Sequence, residues 1–256
     1  MIGLLVSDLM SSPVHVCLVE DTVSHVRNLM LKHHISRVLV MDNAHVAGII
    51  TRKDIGFRLK SRDPAWRRRS ADNEIVSSLM TTDIISISPG SSVRDALILM
   101  VNHQISGFPV IDQGMVLGMV TKSDMMKAPL ITGLDIPVNG VMHDVSVVTQ
   151  KHSVDHVIDL MMSGCTAVVV IGDDGTPAGI ISESDLAFAR DGHDQLEKML
   201  AGEIMHSPVI TVEETARTGD VVHEMVTRNV ASLVITSVQG IKGIITRDDI
   251  IKEVAQ

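Results

Sequence analysis

The sequence predicts a mixed α/β (α+β) fold in which one β-α-β-β-α unit is written four times, and three observations predict it. A hydroxyl residue is followed three positions later by an aspartate at Thr51–Asp54, Thr121–Asp124, Ser182–Asp185 and Thr246–Asp249. Each pair is preceded by a glycine and two aliphatics (Gly48-Ile49-Ile50, Gly118-Met119-Val120, Gly179-Ile180-Ile181, Gly243-Ile244-Ile245), and these glycines step by 70, 61 and 64 residues. Upstream, a helix-like turn ends in Met10, Met80, Met142 or Met205, with steps of 70, 62 and 63. Recurrence at a fixed period is the mark of a repeat architecture.

The elements of one unit follow in order. After the methionine turn comes a short β-prone stretch, then a capped helix. Ser92-Val93-Arg94-Asp95 fits a capping box, and Thr22, Ser153 and Thr215 stand at or near the same point. The run Val93, Ala96, Leu97, Met100 has the three-and-four spacing of a buried helix face, repeated as Val23, Val26, Met30 and as Val154, Val157, Ile158, Met161. Two β-rich segments joined by a turn follow; Asp42-Asn43, Asp112-Gln113-Gly114, Asp173-Asp174-Gly175 and Gln239-Gly240 supply the turn chemistry. A last helix starts around the motif aspartate, most clearly at Asp249 to Val254. A unit of roughly 60 residues cannot bury both faces of a small sheet alone, so neighbours are expected to pack in pairs. The expected pairs are 1–128, with units at about 7–70 and 76–128, and 129–256, with units at about 138–199 and 200–256.

Composition narrows the class of function. Of 256 residues 45% are hydrophobic, with 16 Met but no Tyr, three Phe and one Trp, so the cores are aliphatic and aromatic platforms for stacking bases are scarce. The formal net charge of −9 argues against general affinity for nucleic acid or anionic membranes. Arg58 to Arg69 is a local basic exception and keeps a nucleic-acid-binding protein as an alternative. No apolar run reaches the roughly 18 residues of a membrane span, and the N-terminal MIGLLVSDLM is short and uncharged for a signal peptide, so a cytoplasmic location is expected. Cys17 and Cys165 lie in apolar strand-like contexts and read as buried thiols. The histidines lack metal-ligand spacing, so no metal is expected.

These residues resemble the cystathionine-β-synthase (CBS) domain family, whose unit opens with an aliphatic-Met turn and ends in Gly-aliphatic-aliphatic-Thr/Ser-x-x-Asp. The resemblance covers nearly the whole chain. It implies two modules of paired units, assembled as a flat disc, with adenosine-type ligands (AMP, ADP, ATP or S-adenosylmethionine) in the clefts between paired units. Carried over residue by residue, the ligand contacts would be Thr51, Asp54, Thr121, Asp124, Ser182, Asp185, Thr246 and Asp249, together with Ile35, Arg37, Ile105 and Ser106 at the entry to the second strand.

Two roles fit the motif. A carboxylate can accept hydrogen bonds from both hydroxyls of a ribose, and Ser/Thr-x-x-Asp is also a helix start. The residue after the hydroxyl is Arg52, Lys122, Glu183 or Arg247, so three copies place a cation beside a prospective phosphate and the third an anion. With Arg37 in addition, the first half reads as the stronger phosphate binder. No Gly-rich phosphate loop and no nucleophile with its base can be recognised, so the expected function is that of a non-enzymatic regulatory sensor of adenine nucleotides. A regulated protein partner or self-association is expected with it. A structural scaffold with degenerate sites is the remaining alternative.

Overall fold

The structure, a computed structural model, describes residues 3–58, 73–190 and 196–256. The basic stretch singled out above lies outside the described residues apart from the backbone of Arg58. The first unit runs α1 (Val6–Leu9), β1 (Val16–Leu18), α2 (Val23–Lys32), β2 (Arg37–Asp42), β3 (His45–Thr51) and α3 (Arg52–Arg58). The second opens with a single 3₁₀ turn (Val76–Ser78) and continues with α4 (Val93–Asn102), β4 (Gly107–Asp112), β5 (Met115–Thr121), α5 (Lys122–Met125) and α6 (Pro129–Thr132). The third has a 3₁₀ turn (Val138–Gly140), β6 (Ser146–Thr149), α7 (Val154–Met162), β7 (Ala167–Ile171), β8 (Pro177–Ser182) and α8 (Glu183–Arg190). The fourth has α9 (Ala201–Ile204), β9 (Thr211–Glu213), α10 (Thr218–Thr227), β10 (Ser232–Ser237), β11 (Gly240–Thr246) and α11 (Arg247–Ala255).

The expected β-α-β-β-α order is present, with four small separate sheets whose first strand is parallel and whose last is antiparallel to the middle one. Three local departures have residue-level causes. In the second unit the first strand shrinks to one bridge, Ile87 to Val110. In the first unit the Leu39 N–H donates to His15 O, 3.4 Å away. Pro109 stands at the matching place and has no N–H to give, so the ladder cannot extend. The last helix of the same unit breaks before Pro129, because a proline forces the preceding residue, Ala128, into the extended conformation it shows (φ −69°, ψ 138°). In the fourth unit the helix N-cap is Arg217 rather than Thr215. The Arg217 side chain is held by Asp135 (Nε to Oδ1, 2.6 Å), and Thr218 is fully buried with its hydroxyl on Leu134 O at 2.8 Å, which together start the helix later. The other caps stand where expected: Thr22, Ser92 and Ser153 accept from the N–H groups three residues on, at 3.2, 3.1 and 3.3 Å.

The recurring glycine and the recurring methionine turn out to be two halves of one contact, made between units. A Cβ on Gly118 would stand 2.7 Å from the sulfur of Met10, and one on Gly48 would stand 2.7 Å from that of Met80. Met205 sits in the same way on Gly179, and Met142 with His143 O on Gly243. Each opening segment therefore packs on the closing hairpin of a neighbouring unit, first on second and second on first, third on fourth and fourth on third. Paired backbone bonds seal it: Ser11 with Met119 (2.8 and 3.0 Å), Thr81 with Ile49 (2.9 and 2.9 Å), His143 with Ile244 (3.0 and 2.9 Å) and His206 with Ile180 (2.8 and 3.1 Å). Glycine is required because any side chain would fill the space the thioether takes.

The hydrophobic interior also joins units that are far apart in sequence. Leu97, Met100, Phe108 and Met125 of the second unit share one core with Val222, Met225, Ile245 and Ile250 of the fourth, and α4 packs on α11. The first and third units keep cores of their own and meet through α3 and α8.

Candidate functional site

All four Thr/Ser-x-x-Asp motifs adopt one local geometry. The hydroxyl residue ends a strand and caps the following helix, and Oδ2 of the aspartate receives both its backbone N–H and its hydroxyl. For Thr51 and Asp54 these distances are 2.7 and 2.6 Å, for Thr121 and Asp124 3.0 and 2.6 Å, for Ser182 and Asp185 2.7 and 2.6 Å, and for Thr246 and Asp249 2.8 and 2.6 Å. The aspartate fills the helix-start role in every copy, and the return bond from its N–H to the hydroxyl is made at Thr51, Ser182 and Thr246, at 3.2, 3.4 and 3.4 Å. The hydroxyl proton is spent on the carboxylate, while Oδ1 stays outside the cap. A carboxylate oriented in this way has its second oxygen outside the cap, and at Asp124 that oxygen faces Lys127 Nζ at 3.8 Å.

Strand pairing brings the other residues of the site beside the motif. Arg37 stands opposite Thr51, Gly107 opposite Thr121, Ala167 opposite Ser182 and Ser232 opposite Thr246. The N–H of the residue after the hydroxyl closes the corner, Arg52 on Ser36 O at 3.0 Å, Lys122 on Ser106 O at 3.1 Å and Arg247 on Ala231 O at 3.0 Å. Ile35 and Ile105 each stand one residue before the carbonyl that closes this corner.

Arg37 reaches across to the second unit, where its Nη1 donates to Ser106 O at 3.0 Å and its Nη2 to Ser106 Oγ at 2.7 Å. Gly107 makes room for it, since a Cβ there would collide with the guanidinium. Burial pushes the guanidinium down from 12.5 to about 10, and Asp124 acts in the opposite direction as the charge it senses. Two residues that the sequence assigns to separate sites, Arg37 and Ser106, thus share one place.

The cations after the hydroxyls divide. Lys122 forms an ion pair with Asp248 of the fourth unit, and Arg247 donates from Nη1 to Ser123 Oγ at 2.6 Å. Both side chains bridge the second and fourth units. Arg52 is half-buried beside its own motif. The side chain of Glu183 lies outside the described residues, so the charge contrast drawn from it has no structural counterpart here. Among the motif acids Asp124 is the most enclosed, at 8% exposure. Asp249 has a neighbour that motif reading misses: His143 Nδ1 lies 3.2 Å from its Oδ2. His143 follows an opening methionine, the place held by Ser11, Thr81 and His206 in the other units, and that register is the signal that could have found it.

Among the described residues no group of three or more His, Cys, Asp or Glu could hold a metal ion, and no helix is long and apolar enough to cross a membrane.

Comparison with known proteins decides the family. The CBS domain family model matches residues 6–59, 76–131, 137–192 and 201–256. The chain belongs to the CBS domain family. Among curated relatives it is similar to the CBS domain-containing protein YhcV of Bacillus subtilis, 29% identical over 121 residues, covering 47% of this chain and 81% of YhcV. It is also similar to the uncharacterized protein MJ1225 of Methanocaldococcus jannaschii, 25% identical over 233 residues, covering 82% of this chain and 83% of MJ1225. The crystal structure of MJ1225 superposes with a TM-score of 0.83 at 22% identity, covering 98% and 99% of the two chains. The arrangement of four CBS units is thus a fold already seen in an archaeal protein.

Proposed function

We propose that this CBS protein is a non-enzymatic regulatory sensor that binds an adenine nucleotide or a related adenosine ligand between the units paired within 1–128 and 129–256. The observation that carries the reading is the state of the four aspartates. Each is fixed by its own cap on Oδ2, which leaves Oδ1 outside the cap as an acceptor suited to one hydroxyl of a ribose; at Asp124 that oxygen has Lys127 Nζ 3.8 Å away. Beside the motif of the first half stands a half-buried guanidinium bonded to the neutral Ser106, a cation suited to a phosphate. The CBS units occupy most of residues 6–256, and the joins between them are too short for a catalytic domain. The relative MJ1225 has been put forward as an archaeal homologue of g-AMPK, which is in keeping with a regulatory role. The ligand class comprises AMP, ADP, ATP and S-adenosylmethionine; a cytoplasmic setting and a regulated protein partner or self-association belong to the same reading.

The test is a thermal-shift screen of the 256-residue chain across these ligands, adenosine and NADH, followed by calorimetry. A ligand that binds only the native state raises its stability by mass action, by about 2.7 kcal/mol at a hundred times its Kd. A flat response to every adenosine compound at millimolar concentration would overturn the proposal.

A further inference from the structure

We propose that Arg247, although it belongs to the fourth unit's motif, is a specificity-determining residue of the second unit's site, where it joins Arg37 in holding the phosphate of a nucleotide at Thr121–Asp124. This rests on the nucleotide reading above and names which residues of which units take the anionic end.

Four observations place it there. The Nη1 of Arg247 donates to the hydroxyl of Ser123, a residue inside the Thr121-x-x-Asp124 motif and 124 positions away in sequence. The acids that act on the Arg247 guanidinium are Asp124 and Asp248, and burial lowers its pKa against them; Asp249 of its own motif is not among them. Asp249 has a cationic neighbour of another kind when His143 is protonated, since His143 Nδ1 lies 3.2 Å from its Oδ2. Finally, Nε of Arg247 is buried with no hydrogen-bond partner. A guanidinium N–H enclosed without an acceptor is costly unless an anion completes it.

Arg37 approaches the same motif from the first unit, seated on Ser106 with Asp124 as the charge it senses. The Lys122–Asp248 pair fastens the second and fourth units next to this place. Three units thus supply one site: the second gives Asp124 and Ser123, the first Arg37, the fourth Arg247. A nucleotide bound here would join the two halves of the chain, so its affinity at the first half depends on a residue of the second. The site built on Asp249, where Arg247 makes only a long contact of 3.5 Å from Nη2 to Asn229 Oδ1 against the 2.6 Å bond to Ser123, should then favour adenosine compounds with little negative charge.

The experiment is calorimetric titration of the 256-residue chain with adenosine, ATP and inorganic tripolyphosphate, on the parent protein, Arg247→Met and Arg247→Lys, and on Arg247→Met combined with Asp124→Asn or with Asp249→Asn. Arg247→Met is expected to weaken ATP roughly tenfold, as for loss of a charge-assisted bond, and adenosine by less than about twofold. Arg247→Lys should recover part of the loss. Arg247→Met should add nothing in the Asp124→Asn background and keep its full effect in the Asp249→Asn background. The reverse pattern, or equal losses for adenosine and ATP, overturns the assignment. Should the parent protein ignore adenosine and ATP yet bind tripolyphosphate through Arg247, the nucleoside reading falls while the anion site stands. Binding of none of the three sinks both.

Discussion

Replacing Arg37 by methionine should make the unliganded protein more stable while removing much of its response to phosphorylated ligands. The guanidinium is held at about 10 rather than 12.5 by burial, so the folded protein pays to keep it charged. At about 1.4 kcal/mol per pH unit this sets a ceiling of roughly 3 kcal/mol on the cost. Against it stand the two hydrogen bonds to Ser106, at 3.0 and 2.7 Å, worth about 1 kcal/mol each. Methionine keeps the apolar stem, so the net gain should be about 1 kcal/mol, or about 2–4 °C in Tm for a chain of this size. The sign with pH follows from the direction of the shift. Below about pH 10 Arg37 is protonated in both folded and unfolded chains and the cost is complete; it fades as pH rises from about 10 towards 12.5. Thermal denaturation of both proteins, with and without millimolar ATP at low salt, provides the assay. An Arg37→Met protein that is destabilised by more than about 1 kcal/mol, or whose ATP-induced rise in Tm equals that of the parent, would show that this guanidinium is structural and plays no part in holding phosphate.

Asp54→Asn with Asp124→Asn should abolish the first half's binding of adenosine ligands in calorimetry at a stability cost of about 1 kcal/mol, because an amide oxygen can still accept the cap bonds now made to Oδ2; unchanged affinity would leave the aspartates as caps alone. Gly48→Ala should destabilise the protein by about 1–3 kcal/mol in urea unfolding, since the new Cβ would lie 2.9 Å from the backbone oxygen of Thr81, which cannot swing aside as the Met80 side chain can; a neutral result would mean that the opening segment gives way freely. Burial, with Asp21 adding to it, pushes the Cys17 thiol up to about 12. At pH 8 iodoacetamide should therefore label Cys165, which is partly exposed, well before Cys17. Because the folded pKa is raised above the ordinary 9.0, the Cys17 contribution to stability is whole below pH 9 and declines as pH climbs towards 12, which alkaline unfolding of Cys17→Ser against the parent would check.

What the sequence by itself determined is local. The hydroxyl and the aspartate three residues on close a hydrogen-bonded box within one helical turn, so the motif holds its geometry in all four copies whatever surrounds it. The same holds for the buried faces at Val93, Ala96, Leu97 and Met100 and at Val154, Val157 and Met161, where spacing alone assigns the side chains to the interior. The tertiary structure decided everything that depends on which units meet. Glycine and methionine both stand out as repeats, yet nothing in their period says that Met10 seats on Gly118 and Met80 on Gly48. Arg37 looks like a cation of the first unit's site and Arg247 like one of the fourth's, but each guanidinium extends beyond its own unit, to Ser106 and to Ser123. A long side chain at the end of a strand can serve either side of an interface. The partner it finds, 69 or 124 residues away, is set by how the aliphatic faces of the units bury one another, and that packing is a property of the assembled chain.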